Sequence, residues 1–142
     1  DYWVVTHDWG SADFLSYKVT ASGVSTTAIT STIGSIHSGN QSETIGYLKI
    51  SPNGERIALV SWSGNSYAEV FDFDDNTGVV SNSILLENIF YSGETNGTYG
   101  IEFSIDSNLL YISDINFEIG LNLLSLLLQY QRLVEKLNNF LL

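Results

Sequence analysis

Two histidine positions carry the side chains best suited to chemistry in this sequence. His7 is followed directly by Asp8 and Trp9, and His37 is the second histidine of the chain. A strand-end histidine next to a carboxylate can act as a general base or, with a further ligand, bind a metal ion. Because no third ligand is evident, and because such histidines commonly bond to backbone or hydroxyl groups, we predict no catalytic residues. These same four residues are our candidate ligand-binding contacts.

A second candidate is an oxygen-rich turn that could bind calcium. Asp72, Asp74 and Asn76 occupy alternate positions, as at the start of a calcium-binding loop. The EF-hand pattern would place Gly where Thr77 stands and an acidic residue where Ser83 stands. The alternative, which we favour, is a polar hairpin turn whose Asx side chains bond to their own backbone. Calcium is therefore the only cofactor we consider, and we predict that none is required.

Aromatic residues could form a surface on which a sugar or a protein stacks, since they combine an apolar face with a polar edge. The alternative is that they lie in the core between sheets, which we expect for Trp3 and Tyr47. Trp9, between Asp8 and Gly10 in a predicted loop, is the aromatic residue that we expect at the surface. The candidates comprise Trp3, Trp9, Trp62, Tyr2, Tyr67, Tyr91 and Tyr99.

The composition favours one folded domain and restricts its partners. The chain has 142 residues, of which 44% are hydrophobic, and 5 basic against 16 acidic side chains give a net charge of -11. So few cations cannot form a surface that follows phosphates, which excludes nucleic acid and anionic membranes as partners. The absence of Cys excludes thiolate chemistry, and no apolar run approaches the roughly 20 residues that cross a bilayer. A start at Asp1 and the lack of Met predict a mature or excised piece.

Short β-strands joined by tight turns are the elements that would position the candidate residues. Strand patterning recurs in segments 2–6, 14–19, 24–29, 47–50, 56–62 and 67–73. Segments 21–23, 51–54 and 74–78 carry the Gly, Pro, Asn and Asp residues that tight turns require. We therefore predict a β domain over residues 1–120.

Two hairpins recur along the chain. Segments 48–59 and 101–112 align without gaps, and each spells a strand, a Ser-x-Asn/Asp-Gly/Ser turn and a second strand. Segments 17–25 and 71–80 align with one extra residue in the later turn. This period, near 54 residues, is close to the ~40–50 residues of a propeller blade. The predicted fold class is all-β, a partial β-propeller of two to three antiparallel blades.

The last 22 residues depart from this pattern, because their apolar residues recur every three or four positions. Such spacing places them on one face of a helix. We predict that residues 121–142 hold a C-terminal amphipathic helix, from Leu123 onward, that packs on the sheet or on a partner. The alternative is a further blade strand at residues 126–130. The apolar stripe comprises Leu123, Leu126, Tyr130, Leu133, Leu137 and Phe140.

The two Ser-containing turns also carry a family resemblance. They stand as Ile50-Ser51-Pro52-Asn53-Gly54 and as Phe103-Ser104-Ile105-Asp106-Ser107, the latter followed by Leu110-Tyr111-Ile112-Ser113. Residues 1–115 thereby resemble the WD-repeat-like β-propellers of bacterial secreted and cell-surface proteins, in which a Phe-Ser-Pro-Asp-Gly turn precedes a Leu-Tyr-Val-Ser strand. Segment 2–7 is similar to the start of repetitive Bacteroidetes surface proteins exported by the type IX secretion route. The resemblance implies an extracellular or cell-surface location.

Two functions from different classes fit this sequence. The first is a non-catalytic extracellular binding, adhesion or structural module that presents loops to a protein or glycan. The second is a fragment of a propeller hydrolase, lyase or lactonase, for which the available polar groups are His7, Asp8, His37 and Glu102.

The length of the chain limits the architecture. A closed propeller needs at least four blades, or about 180 residues at roughly 45 residues per blade. A chain of 142 residues cannot close such a ring alone. We expect a fragment of a longer protein, a homo-oligomer that completes the ring, or sheets that are covered in another way.

Overall fold

β-Strands are the main elements of this fold. The computed structural model describes residues 1–39, 41–62, 67–86, 98–114 and 118–122, and each of these ranges contains at least one strand. Within these residues, eleven strands form three antiparallel sheets, and the helical content is one short 3-10 turn at Gln41–Thr44. No helix in this part of the chain has the length and apolar character that spanning a membrane requires. The all-β prediction is confirmed.

The first sheet contains β1 (Tyr2–His7), β2 (Asp13–Thr20), β3 (Gly23–Val24) and β4 (Ile29–Thr32). β3 and β4 pair with successive parts of β2, so together they form one interrupted outer strand. The sequence predicts an unbroken strand over residues 24–29, which is wrong. The Ser25 hydroxyl donates to the Thr27 carbonyl at 2.7 Å, and a local side-chain bond of this kind competes with ladder pairing.

The second sheet is a complete four-stranded meander of β5 (Leu48–Ile50), β6 (Arg56–Ser61), β7 (Tyr67–Asp74) and β8 (Val79–Leu86). From its second residue onward β6 is buried at every position, and β7 is buried over most of its length. A strand that is covered on both faces loses apolar–polar alternation and becomes almost continuously apolar. The second sheet must therefore lie between two neighbours.

The third sheet contains β9 (Thr98–Phe103), β10 (Leu109–Asp114) and β11 (Glu118–Asn122), with β10 in the centre. β11 extends two residues beyond position 120, where we expected the β domain to end. The amphipathic helix predicted from Leu123 onward lies outside the described residues.

Two apolar cores separate the three sheets, one on each face of the second sheet. Successive residues of β6 point to opposite faces, so Leu59 enters the core shared with the first sheet and Val60 enters the core shared with the third. The first core contains the buried residues Phe14, Ile57, Leu59, Phe71, Phe73 and Val80. The second contains Ala58, Val60, Ala68, Val70, Ile84, Leu86, Ile101, Phe103, Leu110 and Ile112.

Trp3 attaches the first sheet to the β7–β8 turn. Its indole N–H donates to the Asp75 carbonyl at 2.7 Å, and its ring meets Phe73 edge-on at 6.2 Å. The turn approaches so closely that a Cβ on Gly78 would lie 2.5 Å from the indole. The predicted core position of Trp3 is confirmed.

The two Ser-containing turns have the same hydrogen-bond pattern. Ser51 Oγ accepts from the Arg56 N–H at 2.9 Å, and Ser104 Oγ accepts from the Leu109 N–H at 2.9 Å. Each hydroxyl also donates to the Asx side chain two residues later, at 2.7 Å in the first turn and 2.5 Å in the second. Left-handed residues follow at equivalent positions, with φ of 76° at Gly54 and 59° at Ser107. The predicted recurrence of this hairpin is confirmed.

We expect Ser51→Ala to destabilise the protein more than the equivalent Ser104→Ala. Ser51 is 4% exposed, so loss of its hydroxyl would leave the Arg56 N–H without its partner, at a cost of about 1–3 kcal/mol. Ser104 is only half-buried, and water can replace its hydroxyl. Urea unfolding of the two variants measures the difference, and equal losses would show that burial of this turn does not matter.

Candidate functional site

Backbone hydrogen bonds bring two distant loops together at one end of the first sheet. The Gly10 N–H donates to the His37 carbonyl at 2.8 Å, and the His37 N–H donates to the Ser11 carbonyl at 3.2 Å. A third bond, from the Ile33 N–H to the Ala12 carbonyl, measures 2.9 Å. The β1–β2 loop and segment 33–39 are thus held side by side, which carries His37 to the end of β1.

The two histidines form a stacked pair. Their ring centroids lie 3.9 Å apart with an interplanar angle of 23°. Aromatic edges hold the pair on both sides, since Phe14 meets His7 at 4.8 Å and Tyr67 meets His37 at 5.7 Å, both nearly perpendicular. The structure therefore brings together two candidate residues that the sequence leaves far apart.

Both imidazoles are held in the neutral form. His7 Nδ1 lies 3.1 Å from the Asp8 carbonyl, which can only accept, so Nδ1 carries the proton and Nε2 keeps its lone pair. Burial lowers the pKa of His7, although the Asp8 carbonyl and nearby carboxylates partly oppose it. Burial and the adjacent His7 lower the pKa of His37 to about 4. His37 Nε2 is buried without a hydrogen-bond partner among the described residues.

Glu69 is a buried carboxylate behind the histidine pair, and sequence analysis missed it. It is 2% exposed on β7 and accepts from the Ser35 N–H at 3.1 Å and from the Ser83 hydroxyl. These bonds fix segment 33–39 against the second sheet, so Glu69 positions His37. The available signal was an acidic residue on the strand face that Glu69 shares with the aromatic residues Phe71 and Phe73.

A cavity of about 250 Å³ opens beside the histidine pair, between the ends of the first and second sheets. Its polar and aromatic lining comes from three separate segments, and apolar residues including Val5 and Leu48 complete it. Trp9 and Tyr47 are each 46% exposed at the rim. The walls comprise Thr6, His7, Trp9, His37, Thr44 and Tyr47.

The two rim aromatics had opposite sequence expectations. Trp9 lies at the surface, as predicted. The core position predicted for Tyr47 is wrong, because this residue precedes β5 and bonds to β6 only through its carbonyl, which accepts from the Val60 N–H at 3.1 Å. Its ring is left at the cavity mouth, 5.4 Å from the ring of Tyr99.

Asp8 and Glu102, the remaining polar candidates, place no side chain in the lining of the cavity. Asp8 is exposed and acts on His7 through its backbone carbonyl. Glu102 is not at the cavity: its carboxylate is 60% exposed and lies 2.8 Å from Lys49 Nζ. The hydrogen bond from Lys49 lowers the pKa of Glu102.

The calcium candidates have carboxylates already engaged by protein groups. Asp72 accepts from Arg56 and, at 2.6 Å, from Asn82 Nδ2. Asp74 accepts from the Asn76 N–H at 3.0 Å and the Thr77 hydroxyl at 2.7 Å, which is the self-bonded hairpin turn of the alternative interpretation. Among the described residues no three His, Asp or Glu side chains are grouped to hold a metal. Calcium binding by Asp72, Asp74 and Asn76 stays the less favoured alternative to this turn.

Comparison with known proteins finds similarity at the level of fold. No protein-family model matches the chain, and no curated protein matches it significantly. The crystal structure of a protein from Lactobacillus plantarum is similar, with a TM-score of 0.53 and 22% sequence identity, covering 79% of this chain and 31% of that one. That structure has a propeller-like fold. The matched region is therefore less than a third of the length of that protein.

Proposed function

We propose that this protein is a non-catalytic binding module of a secreted or cell-surface protein. In this proposal the three sheets are successive blades of a propeller-type assembly, and the cavity beside His7 is the ligand site. The observation that carries it is the cavity itself, where side chains from three separate segments converge on one opening at the end of two sheets. Loops at the ends of strands are where rigid β-scaffolds place binding groups.

A neutral saccharide is the ligand chemistry that suits these walls. Trp9 and Tyr47 offer partly exposed rings on which the apolar face of a sugar can stack. His7 Nε2 supplies a hydrogen-bond acceptor, and the Thr6 hydroxyl can donate or accept. The Thr44 hydroxyl donates to the Gln41 carbonyl at 2.7 Å and can accept from a ligand. A few polar groups in a largely apolar lining are typical of small-molecule sites.

The surrounding charge argues against an anionic ligand. Glu69, Asp13 and Asp8 all act electrostatically on His7, and the chain as a whole carries a net charge of -11. Neutral imidazoles add no compensating positive charge. Acidic sugars and phosphorylated ligands should therefore bind more weakly than neutral sugars of the same size.

Ligand-observed NMR with a panel of neutral and acidic saccharides tests this site. We expect a neutral sugar to bind, and Trp9→Ala and Tyr47→Ala each to weaken binding by about tenfold, as loss of an aromatic anchor does. Ile105→Ser is the matched control, because Ile105 is 94% exposed and lies on the second Ser-containing turn, away from the cavity. If peptides bind and sugars do not, the ligand is a peptide and not a saccharide. If neither aromatic substitution weakens binding, the cavity is not the binding site.

One observation favours the alternative of a propeller hydrolase, lyase or lactonase. His7 has a neutral ring with its Nε2 lone pair free to take a proton, which is what a general base requires. Turnover of any ester, lactone or glycan substrate that is abolished by His7→Ala and retained by Ile105→Ser would reverse our proposal. Saccharide binding without turnover by the wild-type protein would support the proposed binding function.

A further inference from the structure

The first and third sheets each present an outward face that no described residue covers. On the first sheet Tyr2 is 79% exposed and Val4 is 50% exposed. On the third sheet Tyr111 is 49% exposed. Each lies on a strand whose alternate residues are packed inward, such as Val5 on β1 and Ile112 on β10. Among the described residues, no neighbouring sheet packs against the apolar side chains on these two faces.

The two open faces are of complementary kinds. We call the face of a sheet that points to the earlier sheet its N-side face, and the opposite one its C-side face. The second sheet shows both, since Leu59 on its N-side face packs with the first sheet and Ala58 on its C-side face packs with the third. In the part of the chain that the structure describes, no sheet covers the N-side face of the first sheet or the C-side face of the third.

The hairpin repeat extends this correspondence to individual residues. Ser51 and Ser104 occupy the same place in their turns, so Ala58 corresponds to Tyr111, each seven residues after its serine. Ala58 is buried at the interface between the second and third sheets. Tyr111 therefore stands at an interface position of the repeat with nothing described against it.

We propose that a second copy of this chain docks on these faces, head to tail, with the C-side face of the third sheet against the N-side face of the first sheet of the next copy. The contact continues the sheet stacking that already joins the three sheets within one chain. It unites unlike surfaces, so it is heterologous, and it either closes into a ring or propagates. Tyr2 and Val4 on one face and Tyr111 on the other are apolar or aromatic, as in the cores of protein interfaces. Beside them lie the exposed Thr6 and Glu102, the latter paired with Lys49.

Net charge sets the conditions under which association occurs. A charge of -11 on every copy opposes self-association, and salt screens repulsion between separated surface charges. Association through the exposed apolar side chains Tyr2, Val4 and Tyr111 should therefore strengthen as ionic strength rises. An association driven by ion pairs would weaken instead.

Light scattering at high micromolar concentration tests the proposal with two complementary variants. Val4→Lys blocks the N-side face and Tyr111→Lys blocks the C-side face, and both side chains are exposed enough for a lysine to be tolerated. We expect the wild type to show at least twice the monomer mass at high salt, and each variant to be monomeric. An equimolar mixture of the two should return to twice the monomer mass and stop there, because one unblocked face of each kind remains.

Several results would overturn this inference. Ile105→Lys, at a fully exposed turn, is the control that should associate like the wild type. Tyr2→Lys is the second N-side variant if Val4→Lys melts at a lower temperature than the wild type. A wild type that stays monomeric at both salt concentrations, association that survives both blocking substitutions, or a mixture that stays monomeric would each exclude head-to-tail docking.

Discussion

Gly46→Ala is expected to cause the largest loss of stability of any single substitution considered, about 4 kcal/mol, within the range of severe packing defects. A Cβ at this position would lie 2.1 Å from the Val60 carbonyl oxygen. The backbone cannot move aside, because the Trp62 N–H bonds to the Ile45 carbonyl at 3.0 Å and the Val60 N–H bonds to the Tyr47 carbonyl at 3.1 Å. The φ of 149° at Gly46 adds conformational strain for an L-residue.

Gly23→Ala is the matched control for this substitution. Gly23 also has a positive φ, 119°, but a Cβ there would meet nothing within 4 Å. It should cost only the backbone strain of about 1–2 kcal/mol. Urea unfolding of both variants separates the steric contribution from the conformational one. Equal losses of stability would show that the approach of Val60 to Gly46 is not tight.

Acidification from pH 6.5 to about 4 should lower the free energy of unfolding on account of His37. Its pKa is about 4 in the folded protein against 6.5 for an ordinary histidine, so the unfolded chain binds more protons between these values. The contribution is therefore fully present above pH 6.5 and is lost as the pH falls to about 4. Because the ring is only partly shielded from water, we expect a loss on the order of 2 kcal/mol.

A variant without the titrating group isolates this effect. His37→Gln should flatten the dependence of stability on pH between 6.5 and 4, apart from a smaller part due to His7, whose lowered pKa acts in the same direction. Asp74 and Asp106 belong to a lower pH range, since hydrogen bonds lower their pKa values from 3.8, that of Asp106 to about 2. Urea titrations across the range give the slope. An unchanged slope in His37→Gln would contradict a buried neutral imidazole.

Local turn chemistry made the hairpins predictable from sequence. A serine hydroxyl that caps a turn, an Asx residue two positions later and a left-handed residue next to it form one short-range unit. Every contact in that unit lies within five residues, so the sequence pattern contains it in full. The sequence also contains a signal for sheet stacking. The apolar run Ile57–Val60 of β6 does not alternate with polar residues, which is typical of a strand that is covered on both faces.

The candidate site was predictable only in part, because its geometry depends on long-range bonds. His7 and His37 were singled out by residue type, but their stacking depends on backbone bonds between two irregular segments that carry no periodic signal. The role of Glu69 depends on its bond to Ser35 in a distant loop. Tyr47 and its neighbours are residue types that favour strands. Its ring is exposed because Tyr47 lies just before β5, where the second sheet ends.

The covered second sheet has a consequence for how such a gene can change in length. Within the described ranges its two faces contact the first and third sheets, so its environment is a pattern that can be repeated. An in-frame duplication of one repeat, the 53 residues from Ser51 to Phe103, would insert another sheet of the same kind and leave the outer two unchanged. The Asn53 N–H already bonds to Ser107 Oγ of the following turn at 3.1 Å, a junction that each added copy could reproduce. Length in whole repeats is therefore the dimension along which this architecture can evolve at the least structural cost.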